Sequence, residues 1–330
     1  MKKIYLLLLL VIASNVYCQI VEKHELLWEI SGNGLSDKSY LFGTAHDFSS
    51  LFLERVPNFY KVFNSVKEIV FELSPAEYTE TKIIELAKKY PPTRYLPDSI
   101  DYKDILDEYN LHLLDSILLT HLEIKSSQTR LKPSLLYDRI RKQRNAKENI
   151  YNAIDSIKET RDSFSDDNMF KYMTRLYEGK KMALDMYLMK ETQIKGIKAT
   201  GLDSLEYQIR LKFRPNISLE QEAKSMMCKL LNSGAYQEAL SGVIYSYFEQ
   251  DLNKLLNFYT QHTQLSGFES YADNPLNELK IRNTKWIPAI KKIIQNNSAM
   301  IIVGVGHLIG KYGLINLLRE EGYIVTPISK

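Results

Sequence analysis

Cysteine is nearly absent from this chain: its 330 residues hold two, Cys18 and Cys228. A disulfide framework cannot organise the fold, and a thiolate metal centre is excluded with it. Charge of one sign is also missing. The 43 basic residues stand against 40 acidic ones, a formal net charge of +3 that gives no electrostatic case for a nucleic-acid partner. No apolar run is long enough to span a bilayer comfortably; the longest is the ten-residue stretch from Ile4 to Ala13. The familiar local signatures are missing too: no P-loop, no Gly-x-Gly-x-x-Gly, no Gly-x-Ser-x-Gly elbow and no His-Glu-x-x-His helix. No solenoid-type repeat is visible.

What is present begins with an export pattern. Lys2 and Lys3 precede the apolar stretch, and Ser14, Asn15, Val16, Tyr17, Cys18 and Gln19 come after it. This reads as a signal peptide over residues 1–18, cleaved to leave Gln19 as the new N-terminus, and predicts a periplasmic or extracellular protein with no membrane span after cleavage. The rival is a lipoprotein anchored at Cys18, which usually wants a small residue where Tyr17 stands. Without Cys18, Cys228 has no partner. Its place among Met226, Met227, Leu230 and Leu231 reads as a buried small hydrophobe on a helix.

With 45% hydrophobic residues the remainder can bury a sizeable core. Strands are expected at Leu26 to Ile30, Ser39 to Phe42, Glu68 to Leu73, Lys198 to Leu202, Ala299 to Val305 and Tyr323 to Ile328. Ala299 to Val305, continuously apolar, is the clearest and reads as a central buried strand. One helix is expected from Ser49 or Ser50 through Phe63, others from Ile105 to Leu122, Ser218 to Phe258, Leu276 to Ile294 and Tyr312 to Glu320. Residues Arg139 to Asp167 are highly charged and read as an exposed helical pair or a lid. The whole is an α+β fold: a sheet from strands near both termini, surrounded by helices, over residues 19–330, with a large helical insertion at about 100–195.

Two of the six histidines have glycine three places before them, each at a strand end: Gly43-Thr44-Ala45-His46 and Gly304-Val305-Gly306-His307. Strand ends present side chains to a cleft, and glycine lets the backbone turn and approach a ligand. The bland alternative is two unrelated histidines that satisfy loop carbonyls. Glu72 lies inside Ile69-Val70-Phe71-Glu72-Leu73, where a carboxylate is costly unless paired or bound to a cation. It is either half of a salt bridge to a lysine or arginine, or a metal ligand, or a general base with a raised pKa. Two imidazoles and a carboxylate suit zinc, manganese, iron or cobalt, which would activate a bound water. His24, His112, His121 and His262 have no motif around them and read as structural or surface residues.

The same residues carry a resemblance. Tyr40-Leu41-Phe42-Gly43-Thr44-Ala45-His46 resembles the N-terminal Gly-Thr-x-His signature of the TraB/PrgY/GumN family, which includes the Tiki proteases. Val70-Phe71-Glu72-Leu73 is similar to its next strand, and Gly201-Leu202-Asp203-Ser204 through Gln208 to its Gly-Leu-Glu-Thr segment. Asp251, Arg282-Asn283 with Trp286, and Val303 through Gly313 come next in family order. Asp203 stands where glutamate is usual, Tyr207 where a second acid is usual, and Gln250 where glycine is common. The resemblance implies a Tiki-like fold and a divalent-metal hydrolase, most characteristically a peptidase acting on a peptide or protein. Its metal, zinc, manganese or cobalt, would sit on His46, Glu72 and His307. Arg282 and Asn283 would lie nearby, with Asp203 and Gln208 as lesser members. Two rivals on the same fold are a binding or signal-sequestering protein and a metal-free, esterase-like hydrolase using His and Glu.

Overall fold

In the computed structural model of the chain, residues 25–90, 93–147, 182–213, 217–267 and 275–329 are described. The expected signal peptide, His24 and most of the charged Arg139 to Asp167 stretch lie outside them. The chain is α+β, built on a mixed six-stranded sheet in the order β4-β3-β5-β2-β1-β6. The strands are β1 Leu27–Ser31, β2 Ser39–Thr44, β3 Glu68–Leu73, β4 Lys198–Asp203, β5 Ala299–Gly304 and β6 Ile324–Pro327. β4, β3, β5 and β2 run parallel, and β1 lies antiparallel between β2 and β6.

Each expected strand forms, within a residue or two of its predicted ends. For β2, β3 and β5 the reason is burial on both faces, which central parallel strands require. On β5, Met300 and Ile302 enter one core with Phe42, Ile69, Phe71, Phe52 and Phe59. Its alternate residues Ala299, Ile301 and Val303 enter a second core with Leu41, Val70 and the helix Pro275–Asn296, through Trp286, Ile287, Ile290 and Ile294. A third core belongs to helices alone. Leu114 and Leu118 of Glu108–Leu122, Leu136 and Ile140 of Pro133–Lys147, and Met226, Met227 and Leu230 of Leu219–Leu231 close on one another there. Among the described residues no helix is long and apolar enough to cross a membrane.

The helix expected from Ser50 through Phe63 is two pieces, a 3₁₀ segment Ser50–Arg55 and a helix Phe59–Phe63. Pro57 divides them. Its ring pushes Val56 into extended backbone (ψ 113°), and Asn58 takes a left-handed φ of 58° before the second piece starts. The helices expected from Ser218 through Phe258 are Leu219–Leu231, Ser233–Phe248 and Leu252–Leu265, separated by breaks at Asn232 and at Glu249 to Asp251. At the second break Gln250 has a φ of 60° and Asp251 caps the next helix by accepting from the Lys254 N–H at 2.9 Å. The positive φ explains why glycine is usual at position 250 in the resembling segment. Cys228 is half-buried rather than buried, its sulfur lying against Gly267.

His262, on Leu252–Leu265, stacks against Tyr236 with ring centroids 4.4 Å apart. Burial first, and the Lys229 charge second, push its pKa down to about 4. The unfolded imidazole titrates near 6.5, so between pH 6.5 and 4 the unfolded chain binds the extra proton. Stability is therefore complete above pH 6.5 and falls as pH drops toward 4, by on the order of 3 kcal/mol for a shift of this size. Melting curves between pH 7 and 4.5 are expected to show a fall that His262→Gln flattens in part; parallel curves for the two proteins would refute it.

Candidate functional site

The parallel register sets Gly43 opposite Val303 and Thr44 opposite Gly304, so the two Gly-x-x-His turns emerge side by side from adjacent strands. The Thr44 hydroxyl donates to the Val303 carbonyl at 3.3 Å and ties them together. Glu72 stands on β3, across β5 from β2. Three expected site residues thus sit at the carboxyl ends of three neighbouring strands, where open parallel sheets bind ligands. Neither motif glycine is in the left-handed region. Both serve close approach: a Cβ on Gly43 would stand 2.9 Å from Leu308 and 3.1 Å from Val305, and one on Gly304 would stand 3.2 Å from the Glu72 carboxylate. The Gly304 N–H donates to Glu72 Oε1 at 2.7 Å.

His307 is only 3% exposed and lies behind this edge. Its ring stacks on Trp286 at 4.4 Å. Nδ1 is 2.6 Å from Asn283 Oδ1, and Nε2 is 3.0 Å from Arg282 Nη1 and 3.7 Å from Glu72 Oε1. A guanidinium can only donate, so Nε2 is the accepting nitrogen and Nδ1 carries the proton, donating to Asn283. Asn283 in turn donates to the carbonyls of His307 and Tyr312. Burial above all, helped by Arg282 and opposed by Glu72, lowers the His307 pKa to about 4, so the ring is neutral at pH 7.

Arg282 is the centre of the cluster, its side chain 11% exposed. Nη2 donates to Glu72 Oε2 at 2.6 Å, and Nε donates to Asp203 Oδ2 at 2.9 Å. The Asp203 side chain is wholly buried, and its Oδ1 accepts from the Trp286 indole N–H at 2.9 Å. One cation therefore serves two carboxylates. Burial alone would raise the Glu72 pKa, but the charge of His307 once it is protonated, the charge of Arg282 and the Gly304 N–H oppose it, and the net shift is downward. The raised-pKa general base expected for Glu72 is thereby corrected: the carboxylate is ionised and held by an arginine, the salt-bridge alternative.

His46 stands apart from His307. Its side chain is 76% exposed, and Nδ1 lies 3.0 Å from Asp185 Oδ2. The hydrogen bond to Asp185 raises its pKa against a smaller opposing effect of burial, and the charges of Asp185, Glu72 and Asp47 add to the rise. His46 and Glu72 open onto one cleft of about 710 Å³, with Thr44, Gly304, Asp185 and Gln208 as further polar edges. Its apolar walls include Leu73, Tyr78, Ile83, Met186, Met189 and Ile209. His307, Arg282, Asn283 and Asp203 are not part of the lining. The site is thus in two layers: His46, Glu72 and Gln208 at the cleft, and a charged network behind Glu72.

This arrangement does not fit a metal shared by His46, Glu72 and His307. The single lone pair of His307 Nε2 is directed at Arg282, and a guanidinium within 3 Å repels a second cation. Among the described residues no three His, Cys, Asp or Glu side chains converge as ligands.

The sequence profile of the TraB/PrgY/gumN family matches residues 26–327, nearly the whole chain. The chain belongs to that family. No curated protein and no solved structure matches it. The TraB/PrgY/gumN blocks at Gly43 to His46, Glu72, Arg282-Asn283 and Gly304 to His307 are the segments that converge in space. Asp185 and the buried role of Trp286 are not legible in the sequence. Asp185 falls in no motif, and although Trp286 accompanies Arg282-Asn283 in the resemblance, four residues on along one helix face, nothing there signals its contacts to His307 and Asp203.

Proposed function

We propose that this TraB/PrgY/gumN protein is an exported hydrolase that cleaves amide bonds in peptides, with water activated at the cleft by His46. The observation that supports it most is the shared opening of His46 and Glu72 onto one cleft whose other walls are largely apolar. Asp185 takes Nδ1 of His46, so Nε2 is the nitrogen assigned to the proton of a water. The hydroxide so formed adds to the substrate carbonyl, and the imidazolium then returns the proton to the leaving amine. Glu72, fixed at both oxygens by Gly304 and Arg282, keeps a negative charge facing the imidazolium as it forms. No step here depends on a divalent metal, which the arrangement of His307 and Arg282 does not fit.

The test is a digest of an unbiased peptide library by the purified protein, with and without chelator, beside a metal analysis of protein purified without added metal. New peptide termini that survive chelation are the expected result. Cleavage abolished by chelator and restored by metal would replace this reading with the metallopeptidase. Peptides retained but uncut would replace it with the sequestering protein.

A further inference from the structure

We propose that Asp185 is a positioning residue of the site, holding His46 in the tautomer and orientation that general-base chemistry needs. This rests on the reading of His46 as the base, and it names a residue that no family block contains.

A His–Asp pair near the surface is by itself weak and often incidental. Three features set this one apart. First, both partners are fixed through backbone. His46 lies in a turn closed by the Phe48 N–H donating to Ala45 O at 3.1 Å. The Leu184 N–H donates to Phe48 O at 2.8 Å, and Ser49 bridges Ala183 antiparallel. The segment that carries Asp185 is thereby stapled to the segment that carries His46, 139 positions earlier by their numbers. Behind the turn, the buried Tyr247 hydroxyl donates to Gly43 O at 3.1 Å and anchors the strand end.

Second, Asp185 occupies the first turn of the helix Leu184–Ile194, whose Leu184 and Leu188 are sealed in the core. The positive end of a helix favours a carboxylate there and limits its motion. Third, Asp185 Oδ1 is buried and has no hydrogen-bond partner among the described residues, while Oδ2 alone takes His46. Leaving a carboxylate oxygen so is costly. A surface pair formed for stability would turn both oxygens to solvent; this one holds a fixed direction at a cost, as groups that orient a catalytic imidazole do. With the proton kept on Nδ1 by Asp185, the lone pair must reside on Nε2, the nitrogen the hydrolytic step uses.

Asp185→Asn and Asp185→Glu test this in the full chain by two readouts. In long-range ¹H–¹⁵N imidazole spectra at alkaline pH, the wild type is expected to show His46 as the Nδ1–H tautomer. Asp185→Asn is expected to move the ring toward Nε2–H, and Asp185→Glu to restore the wild-type pattern. On a peptide substrate, Asp185→Asn is expected to lower kcat by about 10² to 10⁴ with KM changed less than about threefold, and Asp185→Glu to recover part of the loss. An unchanged tautomer in Asp185→Asn, or a loss carried by KM, would overturn the proposal. A wild type that cuts no peptide defeats the hydrolase reading instead, and the tautomer spectra then decide the role of Asp185 alone.

Discussion

Replacing Arg282 by methionine should destabilise the fold by about 3–5 kcal/mol, a large share of a typical total of 5–15 kcal/mol. The reasoning starts from the two carboxylates it serves. Asp203 has no exposed side-chain surface and Glu72 is mostly covered. Methionine fills the space and removes the charge, leaving both anions in a poorly solvated pocket with the weaker Trp286, Gly304, Lys285 and His307 contacts. Lysine is not an adequate substitute, because a point charge cannot present Nε to Asp203 and Nη2 to Glu72 together. By contrast Glu72→Gln should cost much less, since Arg282 keeps both of its bonds to Asp203. Urea denaturation of wild type, Arg282→Met and Glu72→Gln, compared at equal slopes, measures this. A change under 1 kcal/mol for Arg282→Met would mean that the network is solvated and that something other than Arg282 balances Glu72.

The second large effect falls on activity alone. His46→Ala should lower peptide cleavage by about 10² to 10⁴, the usual loss when a general base is removed. The fold should lose little, about 1 kcal/mol or less, because the imidazole is largely in solvent and what goes is its single pairing with Asp185. His307→Ala should behave in the opposite way. Its ring is packed on Trp286 and bonded at both nitrogens, so its loss should appear first as a lowered melting temperature. Measuring cleavage and melting for both variants separates the two histidines of a repeated motif. Equal losses of activity at unchanged stability would return them to one joint catalytic role.

How legible the site is in the sequence depends on the distance over which each statement has to reach. The strands are readable because each depends on its own residues: Ala299 to Val303 has no polar side chain and can only be a buried strand. The cost of Glu72 is readable for the same reason. The group that offsets that cost is not, since Arg282 lies 210 positions away and any of 43 basic residues is eligible. The two histidines look equivalent because their motifs are alike. The fold separates them after each motif's first glycine: His46 follows in an exposed turn, while Val305 to His307 form a buried 3₁₀ turn that sets His307 against Trp286. The break after Arg55 is announced by Pro57, and a helix drawn through to Phe63 ignores it. Asp185 gives no periodic signal on its helix.

The sheet order also fixes when in the life of the chain a cleft can exist. β5 lies between β3 and β2, and it is made from residues 299–304. Until those residues have left the ribosome, His46 and Glu72 stand on strands with no common neighbour, and the Gly304 N–H that steadies Glu72 has not been made. Pairing across some 230 to 260 positions is slow to form and comes late in folding. A nascent chain therefore carries the two cleft residues for most of its synthesis without the surface on which they meet. For the peptide cleavage proposed above, this order would keep the unfinished molecule harmless to its surroundings.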